Sequence, residues 1–340
     1  MSVTLESIAR RVGVDVSLVS RVLRGDPQAR ISDEKRKKIL SIARNTNYLP
    51  NRMARSLRTR RTKILAMLTP DITNPFHSFL FRAVERTASA AGYDVILCNT
   101  DDSADRFKKV VTTLAEGHVD GLLIATARHV DPAIDWLRER GLPYVLINRR
   151  RSGNTDPWIG PDDQRTGWLG GHHLAGLGHR RIAFLMGRSE IGNMGLREAG
   201  YRAALAELDC PVAEDLIFRD LTDRRSGYDC AQALLALPRD SRPTALFSVH
   251  SVPLDGAMIG IQKAGLKVPD DLSLVGYSAS NDPDLTSVCI PAEEMARAAT
   301  QHLLERLSGE KAAGEGVLNT TLPVELIDRG TSQATRSFKA

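Results

Sequence analysis

Residues 4–23 read TLESIARRVGVDVSLVSRVL, and this stretch decides the fold of the first part of the chain. Apolar residues recur at helical spacing from Leu5 to Val12, which predicts a short amphipathic helix. Thr4 can cap this helix at its start, and Gly13 can end it because glycine readily adopts left-handed backbone at a helix C-terminus. The stretch therefore opens with one short helix that is bounded at both ends.

A second and a third helix are predicted to follow closely. Asp15 is a good N-cap, and the second helix is expected to run from Val16 to Leu23. Ser32 can cap the third helix, whose acidic first turn favours the helix dipole. The predicted inner face of this helix consists of Ile39, Leu40, Ile42 and Ala43. Two short helices across a glycine turn, braced by a third, form a helix-turn-helix unit.

In such a unit the second helix enters the major groove of DNA with its N-terminal end first. Val16 and Ser17 are then predicted to face base edges, and Ser20 to touch phosphate. Arg21 lies one turn further on and can reach guanine or phosphate; a matched base contact contributes about 1–3 kcal/mol of discrimination. The alternatives are a solvent-facing residue at Ser17 and a surface ion pair at Arg21.

The charge distribution also indicates nucleic-acid binding. Residues 1–61 contain 15 Lys or Arg and five Asp or Glu, so this segment carries +10. The whole chain carries +5, which leaves −5 for residues 62–340. A basic head on a mildly acidic body is typical of proteins that bind nucleic acid. A merely solvated surface would not concentrate the excess in the first fifth of the chain.

The segment that follows the third helix is rich in arginine. Residues 51–58 can form one short helix, which is marginal alone in water. Its arginines repel one another without a polyanion, so we expect the segment to become ordered on DNA. Leu57 is then a candidate apolar wedge for the minor groove, and packing against the rest of the protein is the alternative.

These motifs resemble the LacI/GalR family of bacterial repressors. The resemblance rests on VTLESIA at residues 3–9, VSRVL at 19–23, YLPNR at 48–52 and ARSL at 54–57, and it extends over nearly the whole chain. It implies a homodimer on a pseudo-palindromic operator in double-stranded DNA, with Leu57 in the central minor groove. The predicted DNA contacts are Thr4, Leu5, Val16, Ser17, Ser20, Arg21, Asn51, Ala54, Arg55, Leu57 and Arg58.

Two positions of the second helix depart from the family pattern. Asp15 stands where the family usually has Ser, and Leu18 where it usually has Thr. Both usual residues support phosphate contacts. Because a carboxylate would repel the DNA backbone, Asp15 is predicted to act only as a helix cap.

From Lys63 onward, short apolar runs alternate with helical patterns, which is typical of parallel sheets covered by helices. The fold class is therefore α/β, with an all-α helix-turn-helix headpiece and, as the resemblance implies, a two-lobed periplasmic-binding-protein-like core. The predicted domains are the headpiece (1–48), a hinge helix or linker (49–62), one lobe (63–161 and 291–321), a second lobe (162–290 and 322–330) and a tail (331–340).

Two such lobes can close around a small-molecule effector, and ligand sites in open α/β sheets lie at the C-terminal ends of strands. We expect effector binding there to control DNA binding by changing the angle between the N-terminal lobes of the dimer. That movement is implied by the resemblance. The predicted effector contacts are Phe76, Thr126, Asn148, Arg149, Arg197, His250 and Ser278.

The effector positions differ from those of sugar-sensing relatives. Asn148 stands where those relatives usually have Asp, His250-Ser251 where they have Asn-Asp, and Ser278-Ala279 where they have Asp-Asp. Fewer carboxylates and a capture arginine at Arg197 predict an anionic effector, such as a sugar acid or a sugar phosphate. A neutral sugar, or a degenerate pocket with no effector, is the alternative, and Arg197 can also serve only in an interlobe salt bridge.

Several other classes fit the sequence less well. The chain has no Gly-x-Ser-x-Gly, P-loop or Gly-x-Gly-x-x-Gly signature of an enzyme, and we expect no cofactor. The four dispersed cysteines and the histidines at 172, 173 and 179 lack metal-ligand spacing, so no metal is expected. Without an apolar span or a leader, a cytoplasmic protein with no membrane partner is expected, rather than a periplasmic solute-binding protein.

Overall fold

The structure is a computed structural model, and it describes residues 3–23, 25–48, 61–153, 155–279, 283–309 and 318–335. The chain divides into two compact units, with the boundary between Thr62 and Lys63. Each unit has its own hydrophobic core. No helix in the described ranges is long and apolar enough to span a lipid bilayer.

The first unit contains three helices, which we label α1 (Leu5–Val12), α2 (Val16–Leu23) and α3 (Asp33–Asn45). The caps are those that the sequence predicts. The Thr4 hydroxyl accepts a hydrogen bond from the Ser7 N–H at 3.2 Å, and Gly13 has φ +70° at the end of α1. Ser32 caps α3 by accepting from the Lys35 N–H. Short helices with a satisfied terminus lose fewer backbone hydrogen bonds to water.

The core of this unit is small and apolar. It consists of Ile8, Ala9, Val12, Val19, Val22, Ala29, Ile39 and Ala43. One prediction for α3 is wrong: Leu40 is 42% exposed and does not belong to the inner face. Ile39 and Ala43 lie one turn apart, and both side chains face the core. Leu40 is rotated about 100° around the helix axis from Ile39, so its side chain faces solvent.

The second unit contains two six-stranded sheets. In the first sheet the strand order is β11-β5-β4-β3-β1-β2, and every pairing is parallel. Its strands are β1 (Ile64–Thr69), β2 (Asp94–Asn99), β3 (Gly121–Ile124), β4 (Tyr144–Ile147), β5 (Trp158–Pro161) and β11 (Asn319–Leu322). Its helices are α4 (Pro75–Ala90), α5 (Ala104–Leu114), α6 (Pro132–Arg140) and α11 (Ala292–Ser308). We call this body the first lobe.

The second sheet has the order β12-β10-β9-β8-β6-β7 and forms the second lobe. Its strands are β6 (Ile182–Leu185), β7 (Ile217–Phe218), β8 (Ala245–Ser248), β9 (Ser273–Ser278), β10 (Ser287–Cys289) and β12 (Glu325–Ile327). Its helices are α7 (Asp163–Gly176), α8 (Gly192–Glu207), α9 (Arg224–Ala236) and α10 (Ser251–Lys263). β12 pairs with β10 antiparallel, whereas the other pairs are parallel.

The chain passes between the two sheets three times, after β5, after β10 and after β11. These crossings bring the C-terminal ends of strands from both lobes toward one cleft. The helices of the second lobe pack unusually closely, because a Cβ on Gly167 of α7 would lie 1.8 Å from the Arg197 carbonyl oxygen of α8. That contact fixes α8 against α7 and so sets the position of the side chains that α8 presents.

Candidate ligand cavity and DNA-binding face

The N-terminal end of α2 is open to solvent in the first unit. Val16 and Ser17 are exposed, whereas Val19 and Val22 are buried in the core. Ser20 and Arg21 are partly exposed on the same helix. The helix therefore presents the side chains that the sequence predicts for DNA contact. Thr4 and Leu5 lie at the start of α1, and Asn51, Ala54, Arg55, Leu57 and Arg58 lie outside the described residues.

Arg21 makes contacts within its own unit. Its Nε lies 2.8 Å from Asp26 Oδ2, and its Nη2 donates to the Gln28 carbonyl oxygen at 2.9 Å. These bonds tie α2 to the loop that follows it. The ion pair expected as the alternative role of Arg21 is therefore present, between Arg21 and Asp26. This pair orients the guanidinium of Arg21 for any contact that Arg21 makes with DNA.

Asp15 caps α2 as predicted. Its Oδ1 accepts a hydrogen bond from the Ser17 N–H at 2.7 Å. This bond to Ser17 lowers the pKa of the Asp15 carboxyl below its usual value, because the bond favours the ionised form. A negative charge therefore stands at the exposed end of α2.

A cavity of about 260 Å³ lies between the two lobes of the second unit. From the first lobe, α4 contributes Phe76 and His77, and the turn after β4 contributes Asn148 and Arg149. From the second lobe, α8 contributes Asn193 and Arg197, and the start of α10 contributes His250 and Ser251. The cavity thus lies at the C-terminal ends of the strands, where open α/β sheets bind ligands.

Arg197 is held in a fixed position at the wall of this cavity. Its Nε donates to Asp163 Oδ1 at 2.8 Å, its Nη1 to the Val249 carbonyl oxygen at 2.7 Å and its Nη2 to the Tyr277 hydroxyl at 2.7 Å. Burial works against the charged guanidinium, but Tyr277 and Asp163 hold the pKa of Arg197 above its ordinary value. Asp163 opens α7 in the same lobe, so the salt bridge is not an interlobe one.

A second group of charges connects the lobes. Asp102, which follows β2, accepts from Arg149 at 2.6 Å within the first lobe and lies 3.5 Å from Arg188 of the second. Burial alone would raise the pKa of Asp102, but Arg149 and the neighbouring arginines lower it below its usual value. Arg128 of the first lobe also donates to Glu190 of the second at 3.1 Å. These bonds hold the cleft in the observed arrangement.

Two histidines of the cavity are uncharged at neutral pH. Burial, together with the positive charge of Arg149, lowers the pKa of His77 to about 3. Burial likewise lowers the pKa of His250 to about 4, with Arg149 and Arg197 adding to the shift. Both imidazoles are therefore neutral hydrogen-bonding groups rather than cations.

Residues 4–51 match the model for bacterial regulatory proteins of the lacI family, and residues 172–332 match a periplasmic binding protein-like domain. The HTH-type transcriptional regulator DegA of Bacillus subtilis (strain 168) is 30% identical over 337 residues, which is 97% of this chain and 98% of DegA. The chain belongs to the LacI family. It is a DNA-binding transcriptional regulator with a ligand-binding domain.

Other LacI-family proteins are similar over most of their length. The repressor PurR of Mannheimia succiniciproducens is 29% identical over 320 residues, or 92% of this chain and 95% of PurR. A lac repressor dimer bound to operator and the anti-inducer ONPF superposes with a TM-score of 0.82 at 26% identity, covering 98% of this chain and 100% of that one. The relatives are transcriptional regulators rather than enzymes.

Two predicted effector contacts of this LacI-family core do not line the cavity. Thr126 is buried, and its Oγ1 lies 3.1 Å from Thr100 Oγ1, so its hydroxyl is used inside the first lobe. Ser278 ends β9 but is not among the lining residues. Phe76, Asn148, Arg149, Arg197 and His250 do line the cavity.

Sequence reasoning missed several cavity residues. Asp102 lies three residues after the end of β2, so the strand-end rule points to the loop that carries it. His77 follows Phe76 and Asn193 lies one turn before Arg197, but no sequence pattern marks either as a lining residue. Asp163, the buried partner of Arg197, lies 34 positions away and gives no signal.

Three aspartates that the sequence analysis did not assign to the cavity change its expected charge. Among the described lining residues, Arg149, Arg188 and Arg197 face three carboxylates, those of Asp71, Asp101 and Asp102. Each of the three arginines already has a carboxylate partner within 3.8 Å. The predicted excess of positive charge, which favoured an anionic effector, is therefore not found in this lining.

Proposed function

We propose that this protein is a repressor that acts in the cytoplasm, binds a two-fold symmetric operator as a homodimer, and is controlled by a small effector in the cleft of its core. The observation that carries the proposal is the exposed N-terminal end of α2 on a basic headpiece that forms a compact unit of its own. A helix presented in this way fits the major groove. Arg21 and Ser20 stand one turn further along α2, where they can reach guanine or phosphate.

The dimer proposal is supported by apolar side chains that the second unit leaves in solvent. In the first lobe these are Ile72, Phe79, Ile96 and Leu97, which are 38–48% exposed on the loop after β1, on α4 and on the edge strand β2. In the second lobe Met258 and Ile259 are similarly exposed on α10. Large apolar side chains clustered at the surface mark association sites. We propose that a second copy of the chain covers them.

Effector control is supported by the cavity and by the ion pairs that cross it. A ligand that contacts both lobes would stabilise one interlobe angle. If that angle also changes the affinity for DNA, the coupling free energy between ligand binding and DNA binding is typically about 1–3 kcal/mol. The predicted anionic effector finds no support in the paired arginines of the lining. An effector-independent regulator is less favoured, because within the described residues the cavity is formed by residues from both lobes, with polar and charged side chains from each. A solute-binding protein would not require the headpiece.

Selection of bound duplexes from a random pool by the full chain tests the DNA-binding proposal. We expect enrichment of a two-fold symmetric sequence with half-sites about one helical turn apart. Arg21→Ala should weaken binding to this operator more than binding to unrelated DNA. Equal losses on both would show that Arg21 contacts phosphate alone, and failure to enrich any symmetric sequence would contradict the proposal.

The dimer is tested by sedimentation of the wild-type chain and of Phe79→Asp. The variant places a charge at one of the exposed apolar side chains, so we expect dissociation to monomers and loss of operator affinity, with the melting temperature of the core nearly unchanged. Arg86→Asp, on the exposed surface of the same helix, serves as the control for added negative charge. A Phe79→Asp protein that stays dimeric would show that another surface forms the interface.

A further inference from the structure

The chain leaves α2 through a turn that fixes the carboxylate of Asp26. Asp26 and Pro27 occupy the first two positions of this turn, and the Ala29 N–H donates to the Asp26 carbonyl oxygen at 3.2 Å. Aspartate and proline are favoured at these two positions. Asp26 Oδ1 accepts from the Gln28 N–H at 2.9 Å, a common use of aspartate in turns. One carboxylate oxygen is therefore bound to the turn, and the other, Oδ2, contacts Arg21.

The turn is also bonded to the end of α2. The Asp26 N–H donates to the Arg21 carbonyl oxygen at 3.1 Å, and the Gly25 N–H donates to the Val22 carbonyl oxygen at 3.0 Å. Gly25 has φ +70°, a backbone conformation that glycine adopts without strain. The backbone at the end of α2 thus sets the position of the Asp26 carboxylate.

This carboxylate and a neighbouring carbonyl occupy one edge of the Arg21 guanidinium. Nε donates to Asp26 Oδ2 at 2.8 Å, and Nη2 donates to the Gln28 carbonyl oxygen at 2.9 Å. The planar group has a second pair of parallel N–H bonds, one on Nη1 and one on Nη2. Among the described residues, Nη1 has no hydrogen-bond partner. Because the Arg21 side chain is 39% exposed, this second pair is accessible to a molecule outside the headpiece.

Arg21 lies on the same face of α2 as Ser17. The two residues are four positions apart, whereas Val19 and Val22 are buried on the opposite side of the helix. Ser17 is exposed at the N-terminal end of α2, the end proposed above to enter the major groove. A guanidinium held along one edge therefore approaches DNA with its second N–H pair in a fixed orientation.

A fixed pair of parallel donors matches guanine. N7 and O6 of guanine are adjacent acceptors in the major groove, and arginine binds both at once. Adenine has a donor, its N6 amino group, in place of O6, so the same pair of donors is mismatched there. Asp26 also weakens the alternative contact with phosphate, because a carboxylate 2.8 Å from the guanidinium offsets its attraction for an anion. Hydrogen bonds to the neutral acceptors of guanine depend mainly on direction.

We propose that Asp26 is a positioning residue for base recognition, which holds Arg21 end-on to guanine and so gives the headpiece a preference for guanine over adenine at one position of each half-site. Partly exposed ion pairs contribute little to folding stability, so the effect of Asp26 is on the discrimination between bases. This inference deepens the function proposed above and rests on it for the approach of α2 to the major groove.

The test measures base discrimination by the full chain. Fluorescence anisotropy gives the Kd for the selected duplex and for duplexes in which each G·C pair in turn is replaced by A·T. Arg21→Ala identifies the pair that Arg21 contacts, because discrimination is lost at that pair. We expect Asp26→Ala to lower discrimination at the same pair about fivefold or more, since a bidentate arginine typically supplies about tenfold to a hundredfold. Affinity for unrelated DNA should stay the same or increase, because a negative charge near DNA is removed.

Three further variants separate the position of Arg21 from charge and from folding. Asp26→Asn removes the charge but keeps an acceptor oxygen, so it should retain more discrimination than Asp26→Ala. Asp33→Ala removes an exposed carboxylate from the start of α3 and should leave discrimination unchanged. Melting curves report folding. If Asp26→Ala does not fold, Asp26→Ser replaces it, because a serine hydroxyl can bond the Gln28 N–H but is too short to bond Arg21 as well.

A double-mutant cycle decides whether Asp26 acts through Arg21. In the Arg21→Ala background, Asp26→Ala should cause no further loss of discrimination. Unchanged discrimination in a folded Asp26→Ala protein, or an equal loss with and without Arg21, would overturn the proposal.

The duplex selection separates this inference from the proposed function. A symmetric operator at which Arg21→Ala lowers no base preference would overturn this inference and uphold operator binding by the homodimer. Enrichment of a single half-site without symmetry would contradict the dimeric operator, and the same Kd ratios measured on that half-site would still decide the role of Asp26.

Discussion

The guanidinium of Arg197 lies 2.8 Å from the carboxylate of Asp163, and each side chain is 2% exposed. Two charges removed this completely from water are costly to bury, so their mutual attraction and their further hydrogen bonds must offset the lost hydration. Arg197 achieves this with Val249 and Tyr277 as additional partners. The pair thus couples α7 and α8 at the wall of the cavity and holds in place the helix that carries Asn193.

Loss of one partner of this pair should be strongly destabilising. We expect Asp163→Ala to lower the free energy of unfolding of the core by about 3–5 kcal/mol, because it leaves an uncompensated buried charge. Replacing both residues, as in Asp163→Ala with Arg197→Met, should cost less than the sum of the single changes. Urea unfolding followed by circular dichroism measures both effects.

The control for that experiment is the exposed pair Arg225–Asp229, in which the side chains are 80% and 52% exposed. Surface ion pairs contribute little, so Asp229→Ala should leave stability nearly unchanged. If Asp163→Ala is no more destabilising than Asp229→Ala, the buried pair does not contribute to holding the lobe together.

The close contact between α7 and α8 gives a second prediction. A Cβ on Gly200 would lie 1.8 Å from the Gln164 carbonyl oxygen, so Gly200→Ala must push the helices apart. We expect a loss of about 1–3 kcal/mol, together with weaker ligand binding because Asn193 and Arg197 move. Gly195 lies on the same helix with no atom within 4 Å of its added Cβ, so Gly195→Ala should be neutral or stabilising by up to about 1 kcal/mol. Equal effects of the two substitutions would contradict the packing argument.

The cavity histidines predict how stability depends on pH. The folded-state pKa values of His77 and His250 are about 3 and 4, below the ordinary value of 6.5. The unfolded chain therefore binds more protons below pH 6.5, and the stability contributed by each neutral histidine is present above pH 6.5 and lost as the pH falls below it. The expected slope is about 1.4 kcal/mol per pH unit for each histidine.

His77→Phe isolates one of these contributions. Between pH 6.5 and 5, the variant should lose about 2 kcal/mol less stability than the wild type, as measured by urea unfolding at each pH. His118→Phe, at an exposed site, should leave the pH dependence as it is. A His77→Phe protein with the wild-type pH profile would show that His77 is accessible to protons in the folded state.

The headpiece could be predicted from sequence because its signals are local. Thr4, Gly13, Asp15 and Ser32 mark helix ends through bonds to residues two to four positions away. The failure at Leu40 shows the limit of the pattern, since Ile39 and Leu40 are adjacent apolar residues of α3 and only Ile39 is buried. Which of them does so is decided by the helices packed against it.

The core shows where local signals end. Helix α7 contains Gly167, Gly170 and Gly171 and has no clear apolar periodicity, so neither propensity nor pattern predicts it. It forms because the glycines permit backbone contact with α8, a tertiary effect. The strand ends at Asn148 and His250 could be predicted because the strands are short local apolar runs. The pairing of Arg197 with Asp163 could not, because it depends on how α7 and α8 pack.

The last prediction concerns the exposed charge at the start of α2. Asp15 caps the helix through the Ser17 N–H, and both Ser and Asn can make the same bond without a negative charge. If this end of α2 approaches DNA phosphates, Asp15→Ser and Asp15→Asn should bind DNA several-fold more tightly at low salt, with the gain shrinking as salt screens the charge. Headpiece stability should be kept in both variants and reduced in Asp15→Ala, which lacks the cap.

Fluorescence anisotropy with a labelled operator measures the affinity across a salt series. Equal affinity of wild type and Asp15→Ser at low salt would place this end of α2 away from the DNA backbone.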